Sequence, residues 1–353
     1  MLRSPTQRRR HLYPILAWVL VAALVACAVG FGLLLFAVKA PYKGYSAPSV
    51  LVRIPPRTAT VAILTSLEEG GVLRDWRLGL FALKVFYRGR TLKAGEYRFA
   101  GERSPEQVVL ALVAGDVVTY RITVPEGFTA SEVFALFASQ GFATTVDYDR
   151  LFLLPREFDG VPAGASTLEG FLFPDTYTVT RSMTAREILA MMTRQFGHRL
   201  PPDYEAKARA EGLTLLQAAT LASLIEKETA IPAERPLVAA VYRNRMARGM
   251  LLQADPTTIY ALKRMGTWRG ALARSELLVN EPYNTYVHLG LPPGPICNPS
   301  LASLRAAVEP APVNYLFFVA AGDGSHLFAA RFDEHDRNVA RYREMRRAER
   351  DPR

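Results

Sequence analysis

Glu226 and Glu228 lie one residue apart in the stretch LASLIEKETA, residues 221–230. Residues 215–225 are almost all apolar, and a T-x-x-Q capping box opens them at Thr214, so the sequence predicts a buried helix ending in two carboxyl groups. Burial disfavours the charged form of a carboxyl group and raises its pKa, which lets a glutamic acid keep a proton near neutral pH. Such an acid can protonate a leaving oxygen, as happens in glycosidic bond cleavage.

The two glutamates cannot serve the same cleft. At about 100° per residue their side chains point to nearly opposite sides of a helix. Glu228 continues the stripe of large apolar residues and Glu226 the stripe of small ones, so periodicity does not choose between them. The alternative is that both are exposed at the helix end and pair with Lys227 or Arg235.

Two segments downstream carry polar and aromatic side chains suited to a sugar. The first, LLQADPTTIYAL at 251–262, turns at Pro256, and the second, residues 281–310, is rich in proline and glycine. Long ordered loops are usually functional, aromatic faces stack on sugars, and amides bond to hydroxyl groups. The candidate substrate-binding residues are Gln253, Asp255, Tyr260, Tyr283, Asn284, Tyr286 and Asn298. For each, the alternative role is a hydrogen bond that fixes a loop.

The N-terminal region predicts a membrane anchor. Residues 13–38 contain no charged side chain and exceed the ~20 residues needed to cross a bilayer. Arginines concentrate before this run, so we expect a cytoplasmic tail at 1–12, a transmembrane helix at 13–38 and a linker at 39–48. A lipoprotein signal at Cys27 or a cleaved signal peptide would be the alternatives, but the apolar run continues well past either processing site.

Beyond the linker the pattern is α+β. Residues 52–64 and 122–134 each read as a strand, a proline turn and an amphipathic helix, the second opened by a capping box of Thr129 and Glu132. We therefore expect small β-α-α-β units over residues 49–150, followed by an α+β catalytic domain over 151–353.

Composition excludes several functions. The formal net charge of +10 suits a membrane surface or an acidic polymer, and no nucleic-acid-binding signature occurs. The two cysteines, Cys27 and Cys297, cannot build a disulfide framework, and the five histidines are scattered. We expect neither a metal nor another cofactor.

Six motifs jointly resemble one family. They are VPEGFTASEV, LEGFLFPDTY, LASLIEKETA, LQADPTTIYAL, YNTYVHLGLPPGPICNPS and YLFFVAAGDGSHLF, and they cover roughly residues 50 to 340. In this order they are similar to the membrane-bound endolytic murein transglycosylases. The resemblance implies a LysM-like region at 49–150 and a lysozyme-like active-site helix in the catalytic domain.

The resemblance also implies an activity. Such an enzyme cleaves peptidoglycan strands between N-acetylmuramic acid and N-acetylglucosamine and leaves 1,6-anhydro-muramic acid ends. It would end nascent strands beside peptidoglycan synthases, from the bacterial inner membrane, with its catalytic domain outside the cytoplasm. In lysozyme-like transglycosylases Ser or Thr follows the catalytic Glu, which matches Glu228-Thr229. Glu228 is therefore the expected acid and then base, with Glu226 second.

Two other functions stay open. The chain could be a non-catalytic, wall-binding scaffold, or a hydrolase that uses water with Asp255 as second carboxylate. Asp175, in LEGFLFPDTY, is expected to be structural. The family commonly has Asn-Pro-Gly where this chain has Asn298-Pro299-Ser300, so Ser300 would be strained if the loop requires a positive φ.

Overall fold

The first helix matches the predicted membrane anchor in length and composition. The computed structural model describes the backbone of residues 5–350 and the side chains of residues 16–347. Helix α1 (Pro5–Lys39) contains the 24-residue stretch Leu16–Lys39, whose mean hydropathy reaches 2.8. It is long and apolar enough to cross a membrane, and an N-terminal signal sequence would meet the same criteria. Residues 1–4 of the predicted tail lie outside the described residues.

The first of two compact units runs to Tyr120 and includes Thr180–Ser182. After α1 its elements are β1 (Ser49–Ile54), α2 (Thr60–Glu69), α3 (Trp76–Phe86), β2 (Gly95–Ala100) and α4 (Pro105–Ala114). Strands β1 and β2 pair antiparallel, and the three helices contribute Leu64, Ala82 and Val108 to a core with the strand residues Val52 and Tyr97. The order β1-α2-α3-β2 is the predicted β-α-α-β arrangement. That this region is LysM-like stays a prediction.

The second unit contains the carboxylate helix. It covers Arg121–Val179 and continues from Met183. Its elements are most of β3 (Thr119–Thr123), α5 (Ala130–Ser139), α6 (Thr145–Phe152), most of β4 (Thr176–Thr180), α7 (Ala185–Arg199), α8 (Tyr204–Ala210), α9 (Leu215–Glu228), α10 (Arg235–Ala247), α11 (Asp255–Arg264), α12 (Leu301–Val308), β5 (Phe317–Ala320), β6 (His326–Ala329) and α13 (Phe332–Arg350). Strands β3 and β4 form one two-stranded sheet, and β5 and β6 form the predicted hairpin. The fold is α+β, as predicted.

Helix α9 lies at the centre of this unit. The Thr214 hydroxyl accepts a hydrogen bond from the backbone N–H of Gln217, whose side chain bonds back to Thr214, so the predicted capping box is confirmed. Eight consecutive residues, 218–225, are buried, and α8, α10, α11 and α12 pack around them. The buried core therefore fixes the position of the last turn of α9.

The compact units divide at Tyr120, whereas the predicted domain boundary lies at residue 150. The second strand-and-helix repeat accounts for this difference. Helix α5 packs on α6, α6 packs on α7, and the Gly127 N–H donates to the Asn298 carbonyl at 2.9 Å. The boundary at residue 150 separates a predicted LysM-like region from a predicted catalytic domain, and this division by function stays a prediction.

Candidate active site

Glu228 is the last residue of α9, and among the described residues one side chain donates a hydrogen bond to it. The Tyr242 hydroxyl donates to its Oε1 at 2.5 Å, and its side chain is partly buried. Burial is the main cause that raises the pKa of Glu228 to about 7, and the charge of Asp255 adds to it. Tyr242, His326 and Arg245 act in the opposite direction. Close to neutral pH this carboxyl group is therefore divided between its acid and its anion.

Tyr242 and Arg245 lie one turn apart on α10, and both lower the pKa of the Glu228 carboxyl group. Tyr242 is 1% exposed, and burial raises the pKa of its hydroxyl well above the usual value, so it remains a donor. The Arg245 guanidinium donates to the carbonyls of Leu316 at 2.7 Å and Leu252 at 2.8 Å. These bonds hold a buried positive charge near Glu228, where it favours the carboxylate.

Glu226 has a different environment. Its Oε2 accepts hydrogen bonds from the Ser300 N–H at 3.0 Å, the Ser300 hydroxyl at 2.6 Å and the Ser303 hydroxyl at 2.6 Å. Its Oε1 lies 3.8 Å from the Arg235 guanidinium, and its side chain is 7% exposed. Glu226 therefore joins the end of α9 to the start of α12, a structural role.

Ser300 is not strained. Its φ is −67°, in the extended region, and its hydroxyl caps α12 by accepting from the Ser303 N–H at 3.2 Å. A positive φ is therefore not required at this position. The serine supplies a hydroxyl donor to Glu226 that a glycine would lack.

A second chain of contacts fixes the segment after Glu228. The Thr229 hydroxyl donates to Glu234 Oε2 at 2.9 Å, and His326 Nδ1 lies 2.7 Å from the same oxygen. The His326 backbone N–H donates to Glu234 Oε1 at 2.8 Å. The hairpin of β5 and β6 is thereby joined to the residues that follow α9.

Sequence reasoning missed Tyr242, Arg245 and Glu234. Tyr242 and Arg245 belong to an apolar helix pattern, VAAVYRNR, in which a tyrosine reads as core. Glu234 follows a proline and reads as a first-turn acid. A single sequence carries no signal that these three residues meet Glu228 and Thr229, because the contacts depend on how separate elements pack.

Two of the predicted substrate-binding residues, Asp255 and Tyr286, lie near Glu228. The Tyr286 hydroxyl donates to Asp255 Oδ1 at 2.5 Å. Burial raises the pKa of Tyr286, and this hydrogen bond and the charges of Asp255 and Glu228 raise it further. Gln253 is exposed, with φ at 52°, and its N–H donates to the Thr285 carbonyl at 3.1 Å. A non-glycine residue at positive φ is strained and often marks a functional position.

The other four predicted substrate-binding residues are buried. Tyr260 and Tyr283 are buried with ring centroids 4.9 Å apart, and the Tyr260 hydroxyl donates to Glu169 Oε2 at 3.1 Å. Asn284 and Asn298 are fully buried. Both amides bond to the protein: Asn284 to Thr258, Tyr286, Leu277 and Val279, and Asn298 to Leu172 and Phe128. Their amides fix loops, which is the alternative role considered above.

Asp175 and the cysteines also have defined surroundings. Asp175 Oδ2 accepts from Gln195 at 2.7 Å and from Arg199 at 2.5 Å, in keeping with a structural role. Among the residues that the structure describes, both cysteines are free. Within the same residues no group of three or more His, Cys, Asp or Glu side chains is arranged to hold a metal ion.

Comparison with known proteins places these features in context. Residues 52–341 match a family model described as the YceG-like family. A protein of Streptococcus pneumoniae serotype 2 (strain D39) named endolytic murein transglycosylase is 30% identical over 334 residues, which cover 86% of this chain and 60% of that relative. One of the same name from Bacillus subtilis (strain 168) is 29% identical over 319 residues, covering 86% and 87%.

The chain thus spans about 60% of the length of the pneumococcal relative. Among solved structures, a crystal structure of a YceG-like protein from Listeria monocytogenes is similar with a TM-score of 0.55 and 28% sequence identity. The match covers 82% of this chain and 98% of that one.

Proposed function

Because the chain belongs to the YceG-like family, we propose that it is an endolytic murein transglycosylase that cleaves within peptidoglycan strands. The bond cut is that between N-acetylmuramic acid and N-acetylglucosamine, and the product carries a 1,6-anhydro-muramic acid end. The main observation behind this proposal is Glu228, which ends a buried helix and whose pKa is raised to about 7. Within the described part of the chain its carboxyl group accepts from one side chain, that of Tyr242.

The reaction needs one carboxyl group in two states. As an acid, Glu228 gives its proton to the glycosidic oxygen, and the bond from that oxygen to C1 of the muramic acid breaks. As a carboxylate, it then takes the proton of the C6 hydroxyl, whose oxygen forms the new bond to C1. The proton is returned to Glu228, and no water is consumed. A pKa near the working pH suits both steps.

Tyr242 and Arg245 support the second state. The Tyr242 hydroxyl donates to the carboxylate, and the buried Arg245 charge lowers its energy. Asp255 opposes them and favours the acid. This balance keeps the pKa close to neutral instead of at either extreme.

Residues around Glu228 are proposed to bind the strand. Gln253 and Asp255 are exposed, and Tyr286 is partly exposed beside Asp255, so all three can reach a sugar. The hydroxyl and amide groups of a glycan strand match these donors and acceptors. Tyr260, Tyr283, Asn284 and Asn298 would support this surface from behind.

The proposed location follows from α1. A single span would hold the enzyme at the bacterial inner membrane, with its N-terminus in the cytoplasm and the residues after α1 outside. There it would act on nascent strands and limit their length beside peptidoglycan synthases. Binding of glycan strands to residues 49–150 would make that region a glycan-binding module, and a lack of binding would make it a spacer.

Product analysis tests the proposal. The full chain in detergent is incubated with purified sacculi, and the released fragments are identified by mass spectrometry. We expect anhydro-muramic acid ends from the wild type and none from Glu228→Gln, which should still bind sacculi. Reducing ends would indicate a hydrolase with Asp255 as second carboxylate. Binding without any cleavage by the wild type would indicate a scaffold.

A further inference from the structure

Glu169, in the motif LEGFLFPDTY, is a second buried acid that the proposed reaction does not use. It is 3% exposed, and its Oε1 accepts from the Ala130 N–H at 2.9 Å while its Oε2 accepts from the Tyr260 hydroxyl at 3.1 Å. Within the described part of the chain Glu169 forms no salt bridge. The charged form of a buried carboxyl group without a counter-ion is costly, so a cationic ligand would stabilise that form.

Glu169 lines a cavity of ligand size. The cavity measures about 390 Å³, within the usual range for small-molecule sites. Its walls come from α5, α6 and α11 together with Glu169. Phe134 and Phe152 form an apolar side, with their rings edge to face and centroids 6.0 Å apart.

Opposite charges stand at the rim of this cavity. Lys263 Nζ lies 3.4 Å from Glu132 Oε1, and both side chains are more than two-fifths exposed, at 43% and 42%. Arg264, also at the rim, is held by Glu281 at 3.4 Å and lies over the Tyr283 ring at 4.9 Å. Lys263 is therefore the rim cation best able to exchange its protein partner for a ligand carboxylate.

We propose that this cavity binds a residue of the peptide stems carried by the strand, one that has a free ammonium group at the end of an aliphatic side chain. The ammonium group would lie against Glu169 and a free carboxylate of the stem at Lys263. This proposal rests on the proposed function, because stems occur only on murein. The phenylalanine side accommodates the aliphatic chain between the two charges. Bound there, a stem would hold the strand to the second unit independently of the sugar contacts.

Binding of an ammonium group is expected to release protons. Burial raises the pKa of Glu169 to about 7, Glu132 raises it further, and Ala130, Tyr260 and Lys227 lower it. Lys263, Arg264 and Asp149 also line the cavity. A cation against Glu169 favours its charged form, so the pKa falls and roughly half a proton leaves per ligand at pH 7.

Calorimetry of the full chain in detergent tests this site. The Glu228→Gln background prevents cleavage, so binding is measured whether or not the chain is a transglycosylase. The probes are 6-aminohexanoate, hexylamine, hexanoate, and stem peptides freed from sugar. We expect stem peptide and 6-aminohexanoate to bind more tightly than hexylamine, and hexanoate to bind at least tenfold more weakly than 6-aminohexanoate.

Two variants and a control separate the site from general effects. Glu169→Gln should weaken the amine probes at least tenfold and abolish the buffer-dependent heat of proton release. Ser131→Trp, at an exposed position of the cavity wall, should block all probes without disturbing the fold. Asp159→Asn removes an exposed carboxylate that does not line the cavity and should change nothing.

Other results would overturn the inference. Amine probes that bind equally well to wild type, Glu169→Gln and Ser131→Trp would place their site elsewhere. Hexanoate binding as tightly as hexylamine would show that Glu169 selects no cation. Glycan strands stripped of peptides that compete fully with stem peptides would assign the cavity to sugar.

Discussion

Glu226 and Glu228 lie at the end of the same helix, but their carboxyl groups have different partners. One oxygen of Glu226 receives three hydrogen bonds from Ser300 and Ser303, and the other faces Arg235. Glu228 receives one hydrogen bond from the residues that the structure describes, donated by Tyr242. Glu226 has few lone pairs left for a substrate, whereas Glu228 retains room for one. The number of protein donors thus separates two carboxyl groups that periodicity alone could not.

The largest expected effect is on activity. Glu228→Gln removes the transferable proton and should lower the rate of strand cleavage by about 10²- to 10⁴-fold. The comparison variant is Glu226→Gln, whose activity should fall only in proportion to its folded fraction. Release of fragments from labelled sacculi measures both rates. Equal losses, at equal folded fractions, would contradict the division of roles between the two glutamates.

The next effect is on stability. Glu226→Ala leaves Arg235 and the Ser300 and Ser303 donors without their acceptor, which should cost about 3–5 kcal/mol. Lys227→Ala, at the exposed position between the glutamates, should cost less than about 0.5 kcal/mol. Urea unfolding of the full chain in detergent measures the difference. A Glu226→Ala variant as stable as Lys227→Ala would show that Glu226 does not join α9 to α12.

Sequence alone predicted much of this arrangement. Capping boxes and apolar periodicity are local signals, so α9, the two strand-and-helix repeats and the final hairpin could be predicted from them. The pairing of Tyr242 with Glu228, and of Ser300 with Glu226, joins residues 14 and 74 positions apart. Such contacts depend on packing between elements, which local patterns do not record. The asparagines of the long loop were predicted to bind sugar through their amides, but both are buried and their amides form hydrogen bonds within the protein.

A smaller effect concerns stability against pH. The pKa of Glu228 is raised from the usual 4.5 to about 7. Between these two pH values the native state therefore keeps a proton that the unfolded state has released. Native stability should therefore fall as the pH rises from 4.5 to 7 and stay lowered above it. Glu228→Gln does not titrate and should be more stable than wild type at pH 8, by about 1–2 kcal/mol after solvent screening.

Thermal unfolding of both chains at pH 8 and pH 4.5 measures this difference. The advantage of the glutamine variant should shrink or vanish at pH 4.5, where the glutamic acid is protonated in both states. A glutamine variant that is less stable than wild type at pH 8 would mean that the native state stabilises the Glu228 carboxylate, contrary to a raised pKa.

The smallest expected effect is that of removing the Tyr242 hydroxyl, which donates to Glu228. Tyr242→Phe removes the hydrogen bond that stabilises the Glu228 carboxylate, so the pKa of Glu228 should rise by about one unit. The alkaline limb of the activity profile should move to higher pH, and the maximal rate should fall about tenfold because the basic step weakens. Rates of strand cleavage between pH 5 and 9 record both changes. An alkaline limb that stays in place or moves to lower pH would argue against this contact.

Direct titration of Glu228 tests the account most simply. Carbon-13 labelling of glutamate carboxyl groups, with Glu228→Gln to assign the resonance, follows its protonation by NMR in the full chain. We expect a midpoint near pH 7, the value that burial and Asp255 produce against Tyr242 and Arg245. A midpoint near the usual 4.5 would leave Glu228 charged at neutral pH and unable to serve as the acid.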